Sequence, residues 1–145
     1  MSSDTERLKV GMNELALEIT DTQTNSLIEY LNTLEETNRS FNLTRIPRAD
    51  YVTLHLLDSL LALKALDTSK PLTILDVGTG AGFPGVPLAA LLPHCFIALL
   101  DSTGKKVRFA SETAHACGFS NVVGLHARAE DLAKKSEHRA RYDVV

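Results

Sequence analysis

Three glycines at alternate positions, Gly78, Gly80 and Gly82, follow Asp76 and precede Phe83-Pro84-Gly85. Glycine adopts positive φ freely and lets a second molecule approach the backbone closely. Such a run lines a notch with main-chain N–H and C=O groups, and the backbone from Asp76 to Phe83, with Gly78 and Gly80 in it, is a candidate binding notch. A second anchor is Asp101, about 20 residues beyond the last of these glycines, with Ser102 and Thr103 beside it. An acid there, at the carboxyl end of a strand, can accept both hydroxyls of a sugar diol. It can equally cap a following helix. The third anchor is the run Ala127-Arg128-Ala129-Glu130-Asp131, which puts two acids near an expected helix start. An acid near a helix start is favoured by the helix dipole in any case, so this corner gains its meaning from the other two.

Other residues invite a chemical reading with less force. Lys105, Lys106 and Arg108 crowd the first turns of a helix, where positive charge opposes the dipole. They read either as a solvated face or as contacts for RNA phosphates. Arg39, Arg45 and Arg48 form a looser basic group around Phe41, for which a solvated surface is the plainer reading. His55 and Asp58, three apart on a helix, can touch, and a satisfied polar contact on so leucine-rich a segment is the simpler account of them than acid–base catalysis. No Ser/His/Asp triad and no metal-ligand spacing stands out.

The elements that must position these residues follow from hydrophobic period. Ser2, Ser3 or Asp4 can cap a first amphipathic helix carrying Leu8, Met12, Leu15 and Ile19. Thr20 or Thr22 can cap a second, whose apolar face is Leu27, Tyr30, Leu31 and Leu34. Glu35-Glu36 near its end oppose the dipole, with no local reason for it. Pro47 disfavours helix at Ile46, and a third, leucine-rich helix is expected over 48–66, buried on several faces. From Leu72 the pattern becomes β-α-β-α-β-α. Strands are expected over 72–77, 96–100 and 121–125, and helices over about 84–92, 102–117 and 129–135, with Gly118 as a stop. Pro84 suits a first helical turn. Tyr142-Asp143-Val144-Val145 reads as the opening of a fourth strand. A chain that stops inside a strand leaves a sheet edge unpaired, so it is expected to be the N-terminal part of a longer protein.

The whole implies an α/β, Rossmann-like sheet over 69–145 with a helical N-terminal extension over 1–68 packed on it. The spacing D-x-G-x-G-x-G departs from the G-x-G-x-x-G of dinucleotide loops and from the P-loop. It resembles motif I of the S-adenosylmethionine (SAM) dependent methyltransferases, whose loop packs on the methionine end of SAM. A closer resemblance, from about residue 25 onward, is carried by Asn42-Leu43-Thr44, by His55-Leu56-Leu57-Asp58-Ser59-Leu60, and by Leu75 through Ala89. Leu99-Leu100-Asp101-Ser102 and Lys105-Lys106-Val107-Arg108-Phe109 complete it. These segments are similar to the RsmG (GidB) family, bacterial methyltransferases acting on guanine N7 of small-subunit ribosomal RNA. The resemblance implies SAM contacts at Gly78 and Phe83, at Asp101 to Thr103 on the ribose side, and at Ala129 and Glu130 around the adenine. It implies small-subunit ribosomal RNA or a ribosomal particle as partner. Thr37-Asn38 stand where the family often has Trp-Asn, and the family pattern continues past strand four with a Ser-Arg segment and a further SAM-contacting arginine.

Composition sets the limits of these readings. A chain of 145 residues suits one domain, and its net charge of −3 announces neither nucleic acid nor membrane, so any RNA contact must use local basic patches. Cys95 and Cys117 follow no metal spacing and read as reduced thiols of a cytoplasmic protein. No segment reads as a signal peptide or a bilayer span. Two readings compete with a methyltransferase. A nucleotide-dependent dehydrogenase is disfavoured by the glycine spacing, whereas a SAM- or RNA-binding module, or an inactive fragment, is separated from an enzyme by assay alone.

Overall fold

The computed structural model describes residues 3–145; Ser2, one of the possible first caps, lies outside them. Helix α1 (Asp4–Glu14) and helix α2 (Asp21–Asn38) both open with capping boxes. Ser3 and Glu6 exchange side-chain and backbone bonds in the first, Thr20 and Gln23 in the second. Each box satisfies two N–H groups that a helix start leaves without partners. The first helix stops earlier than its apolar spacing suggests. Leu15 is its C-cap and Ala16 turns to φ 54°, which carries Ile19 into an extended link. Leu27, Tyr30, Leu31 and Leu34 of α2 are fully buried, as their spacing requires.

Residues 48–65, here α3, are helical throughout but of changing pitch. A 3-10 turn (Arg48–Asp50) leads into wide π-type turns (Tyr51–Leu57), then one α turn (Asp58–Leu60) and a 3-10 end (Leu61–Ala65). Burial on several faces does not hold for all of it: Leu56 and Leu60 are buried, whereas Leu54 and Leu61 are about half exposed.

Strands β1 (Thr73–Val77), β2 (Phe96–Asp101) and β3 (Val122–His126) form a parallel sheet in that order. Asp76 pairs with Leu99, and Leu100 with Leu125. The last segment bridges Val144 to Ile74 on the free side of β1, where Val144 O accepts from Leu75 N at 2.9 Å. Strand order therefore reverses at β1, and the loop that follows it sits at a topological switch point, where open α/β sheets bind ligands.

Side chains alternate across this sheet as period two demands. Ile74, Ile97 and Leu99 face the larger core, which includes α1, α2, α3, α4 (Gly85–Leu91) and α5 (Gly104–Ala116). Leu75, Ala98 and Leu100 face Leu132 of α6 (Ala129–Ala133), with Leu125 and Tyr142 beside them. Helix α5 ends at Cys117 and Gly118, the glycine at φ 94°, as the expected stop. Its N-cap is Thr103, but no side chain caps it there; the backbone N–H of Thr103 bonds Asp101 instead. Among the described residues no helix is long and apolar enough to cross a membrane.

Candidate cofactor site

The loop after β1 is held from three directions. Gly78, Gly80 and Gly82 all take positive φ, at 70°, 59° and 104°. Asp76, at the end of β1, is 8% exposed, and its Oδ2 accepts from Thr79 Oγ1 at 2.7 Å and from Gly85 N at 2.8 Å. One carboxylate oxygen thus joins the entry of the loop to its exit. Burial raises the Asp76 carboxyl from 3.8 to about 6, against the lowering effect of those two bonds. From β2, Leu100 O accepts from Thr79 N at 2.9 Å, and Asp101 Oδ2 accepts from Gly80 N at 2.9 Å. From α2, the buried Tyr30 hydroxyl donates to Ala81 O at 2.6 Å. Burial pushes the Tyr30 phenol well above its ordinary value, so it stays a donor.

The carboxylate of Asp101 is divided between two backbone N–H groups. Its Oδ1 accepts from Thr103 N at 2.9 Å while Oδ2 holds Gly80. Each carboxylate oxygen keeps a further lone pair for a ligand. Beside it lies a cleft of ≈ 220 Å³ lined by Gly78, Asp101, Ser102, Ala129 and Glu130. A Cβ built on Gly78 or Gly80 would meet nothing within 4 Å, so the backbone there borders open space. The structure thus brings five of the sequence-derived candidates into one cleft and ties Gly80 to it through Asp101.

Asp76, Phe83 and Thr103 are not among the residues that line this cleft. The Phe83 ring meets Tyr30 edge-on at 5.9 Å and lies flat on His55 at 4.2 Å, with 13° between planes. His55 in turn shares a hydrogen bond with Thr44 Oγ1 at 3.0 Å, and burial lowers it from 6.5 to about 4, leaving a neutral ring. Thr44 is placed by Asn38, whose Oδ1 accepts from Leu43 N at 2.7 Å and Thr44 N at 3.0 Å. Asp58 is exposed and does not pair with His55. The wider turns of Tyr51–Leu57 swing residues three apart off a common face, which an α-helical reading cannot foresee.

Sequence reasoning also missed four supporting residues. Tyr30 reads as core filling, yet a buried phenol needs an acceptor, and that need was the signal to follow. Thr79 and Gly85 complete the Asp76 staple, and a Cβ on Gly85 would lie 2.2 Å from Leu99 Cδ2. His126, at the end of β3, bonds Ser102 O at 3.1 Å and fixes that corner of the cleft. The loose basic group around Phe41 dissolves. Arg48 bonds Asp4 at 2.6 Å and Glu35 at 3.0 Å and lies over the Tyr51 ring, so it is structural. This also gives Glu35 its reason at the end of α2. Among the described residues no group of three or more His, Cys, Asp or Glu side chains is disposed to hold a metal.

A parallel sheet with a glycine loop at its switch point and an acid at the next strand end defines an α/β protein with a candidate ligand cleft at the carboxyl edge of its sheet. Comparison makes this particular. A family model described as "GidB: rRNA small subunit methyltransferase G" matches residues 23–145, and the chain belongs to that family. It is 40% identical over 146 residues to the ribosomal RNA small subunit methyltransferase G of Desulforamulus reducens, covering 100% of this chain and 61% of that protein. It is 40% identical over 139 residues to the protein of that name from Alkaliphilus metalliredigens, covering 95% of this chain and 58% of the relative. The Pelotomaculum thermopropionicum protein of the same name is 39% identical, with 100% and 61% covered. The chain thus spans about three fifths of the length of these relatives.

Proposed function

We propose that this chain binds SAM and takes part in methyl transfer to guanine N7 of small-subunit ribosomal RNA. Family membership supports the class of reaction. The single structural observation that carries the cofactor is the joining of loop and acid: Gly80 N donates to Asp101 Oδ2, so both walls of one cleft are held together. The donor set fits SAM. Open backbone at Gly78 and Gly80 leaves room for its amino-acid tail, the free lone pairs of Asp101 suit a ribose diol, and Ala129 with Glu130 offer a backbone N–H and an acid to the edge of an adenine. Asp76 and Phe83 act by holding the shape of the loop.

When bound, SAM supplies an electrophilic methyl group. The residues of the chain orient and exclude; they have no proton to remove, because guanine N7 carries a free in-plane lone pair. This agrees with a site whose two acids, Asp76 and Asp101, are each engaged by two donors of the fold. Alignment of reacting atoms is then the main contribution, a proximity effect.

Calorimetry with SAM and, in parallel, with NAD tests the cofactor: binding of SAM alone is expected, and binding of NAD alone refutes it. Transfer of label from methyl-labelled SAM to small-subunit RNA tests the reaction. A chain that binds SAM and transfers nothing is a binding module, the second reading that its share of the relatives' length keeps in view.

A further inference from the structure

We propose that a basic cleft beside the cofactor site seats the single-stranded RNA segment flanking the target base. This rests on the RNA-directed reading above. The cleft encloses ≈ 430 Å³ and is lined by Phe41, Lys105, Arg108, Phe109 and Glu112, none of which lines the Gly78–Glu130 cleft. It lies where the segment after α2 meets the first turns of α5. The Lys105 ammonium stands 5.6 Å from the centre of the Phe41 ring.

Three features together point to a nucleic-acid strand. First, Lys105, Lys106 and Arg108 add positive charge to the positive end of a helix, which local stability does not reward. Among the described residues none of the three has a carboxylate within ion-pair distance, whereas Arg48 and Arg39 do. Second, Lys105 and Arg108 are exposed, and an aromatic ring lies against one of them. A π-face next to cations is how strands are held without base-specific bonds: bases stack and phosphates take the charge. Third, α5 starts directly after Asp101–Thr103, so Lys105 and Lys106 stand in its first turn and Arg108 in its second, next along the chain from the acid of the cofactor cleft. Glu112 puts negative charge at one part of the lining, which leaves the Lys105–Arg108 part to phosphates. The chain as a whole is acidic, at −3, so general attraction to polyanions does not account for binding at this place.

The experiment is fluorescence anisotropy of a labelled single-stranded RNA of about ten nucleotides, enough to cover one such groove, over a salt series. The chain is compared with Lys105→Gln/Arg108→Gln, Phe41→Leu and Lys70→Gln, the last at the opposite end of β1. Circular dichroism confirms folding, and SAM calorimetry is run on each. The double variant is expected to lower the salt slope by about 1.4, since each phosphate contact on a single strand contributes about 0.7. Phe41→Leu keeps apolar bulk and is expected to weaken binding about tenfold with the slope unchanged. Lys70→Gln is expected to change neither. The cleft is overturned if the wild-type chain binds no RNA, if the double variant keeps the slope, or if Lys70→Gln lowers it equally. A chain that fails to bind SAM while these RNA results hold removes the cofactor reading and leaves the cleft standing.

Discussion

Replacing Asp76 by asparagine should alter how the fold responds to pH more than it alters the fold. The Oδ2 of Asp76 is an acceptor for Thr79 Oγ1 and Gly85 N, and the amide oxygen of asparagine can take over both roles. What disappears is a titration. Burial raises this carboxyl from 3.8 to about 6, so between those values the folded chain keeps a proton that the unfolded chain gives up. Stability from this group is therefore full below about pH 4 and is lost as pH rises through 6. A tenfold change in proton affinity is worth about 1.4 kcal/mol, so for this buried group the loss is on the order of 3 kcal/mol. His55 works the other way in the same window. Its ring is held down at about 4 from 6.5, so the unfolded chain takes the proton first and stability falls as pH drops below 6.5. The two contributions are of similar size and nearly cancel between pH 4 and 7. The wild-type profile over that span should be close to level as far as these groups set it, and Asp76→Asn should uncover the His55 slope. Urea unfolding at half-unit steps from pH 4 to 7 gives the two curves, and their difference cancels every carboxylate they share. The variant should gain on the wild type by about 2–3 kcal/mol across the span. Parallel curves would mean that burial does not hold Asp76 protonated and that its bonds from Thr79 and Gly85 outweigh the loss of water, and the titration assigned to this carboxyl would be refuted.

Three further outcomes follow from the same geometry. Tyr30→Phe keeps the ring against Phe83 and Phe109 but leaves the Ala81 carbonyl without its donor, so urea unfolding should show a loss of about 1–3 kcal/mol; a loss near zero contradicts the loop tether. Gly78→Ala and Gly118→Ala both force a side chain onto positive φ, in places where a Cβ meets nothing within 4 Å. Each should cost about 1–2 kcal/mol in thermal unfolding, but only Gly78→Ala should weaken SAM in calorimetry, and equal effects on SAM would refute the placement of the cleft. Asp101→Asn sets an amide N–H₂ against Gly80 N–H or Thr103 N–H. With one charge-assisted bond lost at about 1.5–3 kcal/mol, SAM affinity should drop by at least tenfold in calorimetry, and an unchanged affinity removes Asp101 from the site.

Much of this architecture is legible along the chain because it is written in local patterns. The apolar run before Gly78, the acid at Asp101 and the stop at Gly118 each belong to one strand end or helix end, and each stands as its spacing implies. Thr20 and Gln23 cap α2 for the same reason, since both partners lie within one turn. The pitch of 48–65 was not legible. Leucines on many faces fit a buried α-helix as well as one that changes from 3-10 to π and back, and only packing against α1 and Phe83 tells them apart. The tether from Tyr30 to Ala81 spans 51 positions and the bond from Gly80 to Asp101 spans 21, distances over which no periodicity speaks.

Those two long bonds explain how the site can be both ordered and open. A glycine-rich loop is entropically expensive to hold in one shape, because glycine loses the most freedom on folding. Here the cost is met from outside the loop: Tyr30 holds Ala81, Asp101 holds Gly80, and Asp76 ties Thr79 to Gly85. None of these contacts comes from a side chain of the glycines themselves, so the surface beside Gly78 and Gly80 stays bare. Both acids at the strand ends are engaged by N–H and O–H donors of the fold, which removes them as free bases while leaving lone pairs for a ligand. A site of this kind is suited to place two reactants against each other, and the transfer of a methyl group to an unprotonated ring nitrogen asks for that placement and for no proton transfer before it.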